Sequence, residues 1–197
     1  MKLMTHLNLN LILNLFAAFA LASQITACVP VVVGGAAAGG AIAADRRTTG
    51  VYVEDENIEL KTTKGIADSL GEAAHVNITS YKGNVLLTGE VGSSEAKSKA
   101  ESIAKSTTSV RNVTNELAIG PKTAISSRAN DAYLTSKIKA QFVSENRFQA
   151  NFVKVVTENS VVYLLGYVTK NEAEAAVEIA RNTSGVAKVV TVFEYMP

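Results

Sequence analysis

Cysteine is almost missing from this chain: its 197 residues contain one, Cys28. A single thiol excludes an internal disulfide framework. Histidine is nearly as scarce, with only His6 and His75. No group of residues has zinc-ligand spacing. A Ser-His-Asp triad outside the N-terminal segment could be built only around His75. Tryptophan is absent and aromatics make up 6% of residues, so the stacking platforms that single-stranded nucleic acid requires are lacking. Glycine pairs occur at Gly34-Gly35 and Gly39-Gly40. No Gly-Lys-Ser/Thr follows them, so they do not form a phosphate cradle. Glu172 and Glu174 lie two apart on a predicted helix and do not face each other; a solvated surface accounts for them. These absences point away from an enzyme and from a metal or other cofactor.

The N-terminus is more informative. Leu7 to Leu21 is mostly Leu, Phe, Ile and Ala, interrupted by Asn8, Asn10 and Asn14. A transmembrane helix needs about 20 apolar residues and bears buried amides poorly, whereas a cleaved signal tolerates them. The segment ends in Ile25-Thr26-Ala27-Cys28, which resembles the lipobox of bacterial lipoproteins. The resemblance implies a signal peptide over 1–27 and covalent lipid on Cys28, with more than one acyl chain for stable anchoring. A buried structural cysteine is the alternative, but nothing around Cys28 looks like a core. Val29 rather than Asp follows the cysteine, which in that family implies sorting to the outer membrane. Val29 to Ala44 is uncharged and glycine-broken. Residues 28–54 read as a flexible tether, spanning roughly 30 Å r.m.s. as a coil.

Beyond the tether the chain repeats itself. His75–Val91 aligns with Phe152–Val168 at an offset of 77, pairing Gly89 with Gly166 and Glu95-Ala96 with Glu172-Ala173. At an offset of 76, Asp55 meets Asp131, Lys61 meets Lys137 and Val110 meets Val186. The period is too long for a solenoid, so each copy is a small domain: 55–120 and 121–197. In the second copy Asn130 can cap a helix. Its apolar face is Leu134, Ile138 and Phe142. Two β-rich runs flank a turn at Glu158-Asn159-Ser160, matched by Lys82-Gly83-Asn84 in the first copy. A second helix opens at Thr169 or Asn171 and runs through Arg181, and Gly185 precedes a last strand. The predicted order is αββαβ, an α+β fold with two helices on one face of a three-stranded mixed sheet. Gly89 and Gly166, inside strands, read as packing positions where a side chain would push the helix off the sheet.

This order, with its strand-end glycines, resembles the BON domain. Two such domains behind a lipobox resemble the dual-BON outer-membrane lipoproteins of Gram-negative bacteria, a family tied to division and outer-membrane stress. Asp45-Arg46-Arg47-Thr48, Thr79-Ser80-Tyr81-Lys82-Gly83 and Gly166-Tyr167-Val168-Thr169 carry the likeness, which extends over about residues 55–197. It implies anionic phospholipid (phosphatidylglycerol or cardiolipin) as a partner of the second domain's first helix. It also implies a role in envelope integrity and enrichment at division sites.

Charge agrees with that division of labour. Residues 51–119 hold 7 basic and 10 acidic side chains, against 9 and 7 in residues 120–197. Within 120–154 the count is 6 against 2. Tyr133 lies off the apolar face and one turn from Lys137, and an aromatic beside lysines suits a lipid interface. The expected phospholipid contacts are Arg128, Tyr133, Leu134, Lys137 and Lys139. The first copy has Asn57 in place of Tyr133, with Glu56 and Glu59 around it. The competing reading of Tyr133 is a ring packed against the other domain. Two rival functions stand beside lipid binding: an interaction module for envelope or division proteins using the acidic first domain, and a peptidoglycan or stress-associated binder.

Overall fold

The four-residue apolar spacing marks the faces that the helices bury. The computed structural model describes residues 45–71 and 74–197, which fall in one compact unit. Cys28, the signal segment and the tether up to Ala44 lie outside the described residues. The first copy comprises α1 (Thr49–Leu70), β1 (His75–Tyr81), β2 (Asn84–Val91), α2 (Ser94–Ser106), β3 (Asn112–Asn115) and β4 (Ala118–Ile119). The second comprises α3 (Ile125–Glu145), a 3-10 turn (Ala150–Phe152), β5 (Val153–Glu158), β6 (Val161–Val168), α4 (Lys170–Asn182) and β7 (Lys188–Tyr195). β2 pairs antiparallel with β1 and parallel with β3 and β4, and β6 does the same with β5 and β7. The third strand of the first copy is interrupted, because Leu117 turns into the core at 1% exposure between β3 and β4.

Both hairpins are closed by two residues at positive φ: Lys82-Gly83 and Asn159-Ser160. That geometry matches the right-handed twist of the strands it joins. Each turn is held from behind by the aspartate that the repeat aligns. Asp55 accepts from the amides of Lys82 and Gly83 (both 2.9 Å), and Asp131 from those of Asn159 and Ser160 (both 2.8 Å). A buried carboxylate that accepts turn amides satisfies donors that no strand can reach.

Two boundaries differ from the sequence reading. α3 begins at Ile125, behind Ala124, and Asn130 lies inside it on the exposed side. No residue from 125 to 130 breaks a helix, and a mid-helix Asn costs only about 0.7 kcal/mol. α1 begins at Thr49, capped by Thr48 Oγ1 accepting from the Val51 amide, so the coil expected over 28–54 has given way to helix within that span. Just ahead of it, Arg46 donates to Glu172 through two nitrogens (2.7 and 2.8 Å) and to the Tyr167 carbonyl, and lies over the Phe152 ring at 3.7 Å. Arg47 pairs instead with Asp45 and Asp55. Consecutive arginines thus grip opposite copies.

In each copy alternate strand residues meet the helices. Val85, Leu87 and Val91 pack with Ile58, Ile66, Ala100 and Ala104; Val162, Leu164 and Val168 pack with Ile138, Phe142, Ala176 and Ile179. The opposite sheet faces meet each other: Tyr81 and Leu86 of the first copy cluster with Tyr163 and Leu165 of the second. β2 and β6 are therefore covered on both sides, which explains why they read as nearly continuous apolar runs. Lys154 to Glu59 (2.8 Å), Lys82 to Glu194 (2.6 Å) and Asn77 to Glu158 (2.7 Å) rim this interface.

Candidate functional site

Helix α3 positions the residues singled out for lipid contact. Its inward face is Leu134, Ile138 and Phe142, each no more than 1% exposed. Leu134 is therefore removed from the expected lipid contacts. It is committed to the core, and its Cδ2 lies where a side chain on Gly185 would fall. Tyr133 is 62% exposed and so is not packed against the other copy. Lys137 is half-buried, its ammonium donating to the Ser184 carbonyl at 3.3 Å.

Lys139 and Arg128 stand apart from that pair. At 3.6 residues per turn they fall within about 20° of one another and roughly 120–180° from Tyr133 and Lys137. Lys139 is exposed and lines a cleft of about 490 Å³ with Arg47, Tyr52, Tyr81, Val143 and Lys154. Arg128 is half-buried in another cleft between the copies and donates to the Thr123 carbonyl. The five expected residues do not form one patch.

The outward face is nonetheless distinctive. Ile125 is 82% exposed and Val143 68%, and Ala129, Ala132 and Ala140 are exposed between them. From Ile125 to Ser144 the one acidic residue is Asp131, which is buried on the hairpin turn. The corresponding helix α1 exposes Glu54, Glu56 and Asp68. Ile125 and Val143 stay hidden when the helix is started at Asn130 and its bearings are taken from the buried face. A wheel drawn from residue 125 exposes them.

Gly89 and Gly166 sit where the backbone comes close, though not to a helix. A β-carbon on Gly89 would lie 2.0 Å from the His75 carbonyl oxygen, and one on Gly166 2.5 Å from that of Phe152. Gly89 also has φ +110°. The constraint is the neighbouring chain of the same hairpin, which loses its carbonyl approach if either glycine gains a side chain.

Folding assembles one group that no spacing announces. His75 Nδ1 lies 3.1 Å from Glu90 Oε2, and Glu158 from the other copy joins them. Burial pushes the Glu158 carboxyl up, against the opposing effect of the Asn77 amide. Nearby, burial and the Glu116 and Glu158 charges push the Tyr163 phenol up to about 12. His75, Glu90 and Glu158 are scattered across β1, β2 and β5, so linear proximity gives no signal.

Comparison with known proteins places this architecture. The BON domain family model matches residues 54–121 and again residues 130–197. Outer membrane lipoprotein DolP of Haemophilus influenzae is 40% identical over 171 residues, covering 86% of this chain and 89% of that protein. A 21 kDa hemolysin of Actinobacillus pleuropneumoniae is 34% identical over 154 residues, 77% of this chain and 79% of its own. The osmotically-inducible protein Y of Escherichia coli is 26% identical, covering 77% and 78%. With both copies matched and the likeness running through most of the chain, this protein belongs to the BON-domain family, as a dual-BON protein of the outer-membrane lipoprotein type.

Proposed function

We propose that the protein is held at the periplasmic face of the outer membrane by lipid on Cys28, and that the outward face of α3 binds anionic phospholipid such as phosphatidylglycerol or cardiolipin. The observation that carries this reading is the surface of α3. It exposes Ile125, Ala129, Ala132, Tyr133, Ala140 and Val143 with no exposed acid before Glu145, in the segment where basic residues gather. Apolar side chains lower such a helix into the headgroup layer while lysines at its margins meet lipid phosphates. Among the described residues no helix is long and apolar enough to cross a membrane, and an interfacial helix needs no such length. Enrichment at division sites and support of envelope integrity follow in this reading from anionic lipid gathered there.

Vesicle flotation of residues 45–197 with phosphatidylglycerol tests the lipid site. Each lysine near an anionic leaflet contributes on the order of 1 kcal/mol, so Lys137→Glu should weaken binding by about 2 kcal/mol, near thirtyfold. Much of that loss should vanish in about 1 M salt, where screening acts within about 3 Å. Tyr133→Asp should weaken binding at every salt concentration, because it removes insertion as well as adding charge. Flotation unchanged by both folded variants would place the lipid contact elsewhere.

Anchoring is tested separately. Cys28→Ala should shift the protein from the membrane to the soluble fraction and abolish metabolic labelling with palmitate. A variant that still carries acyl groups would rule out Cys28 as the anchor.

A further inference from the structure

At one end of the interface between the copies lies a cleft of about 520 Å³, lined by His75, Asn77, Arg128, Asp131, Thr157 and Glu158. Beside it one ligand atom each from His75, Glu90 and Glu158 lie within 4.8 Å of one another. Glu90 is 5% exposed and Glu158 7%. We propose that His75, Glu90 and Glu158 form a binding site for a divalent transition cation of the zinc class, bridging the two BON domains.

Three observations converge on a cation. Two buried carboxylates from different domains converge on a single imidazole, and burying charge without a partner is costly. Arg128 lines the cleft, but its guanidinium donates to the Thr123 carbonyl, leaves its buried Nε without a partner and makes no ion pair with either carboxylate. Each carboxylate is also held by a hydrogen bond from a neighbouring group, as metal ligands are. The Thr123 amide donates to Glu90 at 3.1 Å, and the Asn77 side chain to Glu158 at 2.7 Å. Independently, Thr88 is 1% exposed and its hydroxyl has no hydrogen-bond partner. Thr88 pairs with Asn77 across the hairpin and shares a sheet face with Glu90 two residues on, so this unpartnered oxygen stands on the strand face that carries the cluster. A metal-bound water would give it a partner.

The donor set selects the metal. An imidazole nitrogen with two carboxylate oxygens suits zinc and its first-row neighbours, whereas calcium and magnesium take oxygen alone. Three protein ligands leave a fourth tetrahedral position for water. Because Glu158 comes from the second domain and the other two ligands from the first, the bound ion would join the domains.

The test uses the full untagged chain, extracted in detergent and stripped of metal with chelator. Titration with Zn²⁺ should show one ion bound per chain and a rise of several degrees in Tm. Ca²⁺ and Mg²⁺ should do neither. Beyond the signal segment His75 is the one histidine, so its imidazole NMR resonances should shift in step with the titration, a readout that needs no variant. His75→Gln and Glu158→Gln should each weaken Zn²⁺ binding at least tenfold, while the exposed Glu174→Gln should leave it unchanged. A wild-type chain that binds no Zn²⁺, or a His75 signal that stays still while Zn²⁺ binds, would overturn the site. Equal binding of Ca²⁺ would overturn the nitrogen-ligand assignment.

Discussion

Gly89→Ala should cost the first domain a large share of its stability, although it adds one methyl group. The added carbon would lie 2.0 Å from the His75 carbonyl oxygen, well inside contact, and Gly89 holds φ +110°. The oxygen belongs to the paired strand, so relief requires the hairpin to part at its open end. Overpacking costs about 1–3 kcal/mol, and a sparsely populated backbone conformation about 1–3 kcal/mol more. The sum, about 2–6 kcal/mol, is a large share of a small domain's 5–15 kcal/mol. Gly166→Ala meets the Phe152 carbonyl at 2.5 Å without a positive φ, so it should lose only the overpacking part, about 1–3 kcal/mol. Urea unfolding of the two variants measures the difference. Equal losses would show that the backbone conformation of Gly89 carries no cost of its own.

Asp55→Ala should be comparably damaging, through charge and hydrogen bonding rather than shape. The Asp55 carboxylate accepts from Ser80 Oγ at 2.6 Å, from the Lys82 and Gly83 amides, and from Arg47 at 3.0 Å. It is 2% exposed. Its removal leaves two turn amides and a hydroxyl without their acceptor, and deprives an arginine only 7% exposed of one of its two partners. Breaking a buried pair costs about 3–5 kcal/mol. Asp131→Ala removes the equivalent carboxylate, which serves the two turn amides without an arginine. It should cost about 1–3 kcal/mol. Thermal unfolding ranks them. A larger loss at Asp131 would show that the Arg47 contact adds nothing to the first hairpin.

These paired predictions rest on a repeat that is legible in the sequence. The alignment of Asp55 with Asp131 and of Gly89 with Gly166 needs no structure. Their roles do, because the donor to each aspartate lies 27 to 29 residues downstream and the atom facing each glycine is a carbonyl of the paired chain. The candidate lipid helix was half legible. Tyr133 reads as exposed because it lies off a face of period four, whereas Leu134 belongs to that face and cannot also meet lipid. Lys139 and Arg128 lie near Tyr133 in sequence, but proximity along a helix says nothing about direction.

Local sequence dictates the number of copies, the αββαβ order, the hairpin turns and the apolar face that α3 buries. All of these follow from local periodicity and turn chemistry, which act over a few residues. Tertiary structure decided how the copies use their second faces. Leu86 and Leu165 read as ordinary strand apolars, and only the meeting of the two sheets makes them an interface with Tyr81 and Tyr163. That same meeting brings Glu158 to His75 and Glu90 across 68 residues or more, and sends Arg46 and Arg47 to opposite domains. Contacts between distant segments depend on which faces remain apolar once each domain has closed, and periodicity within one domain does not identify their partners.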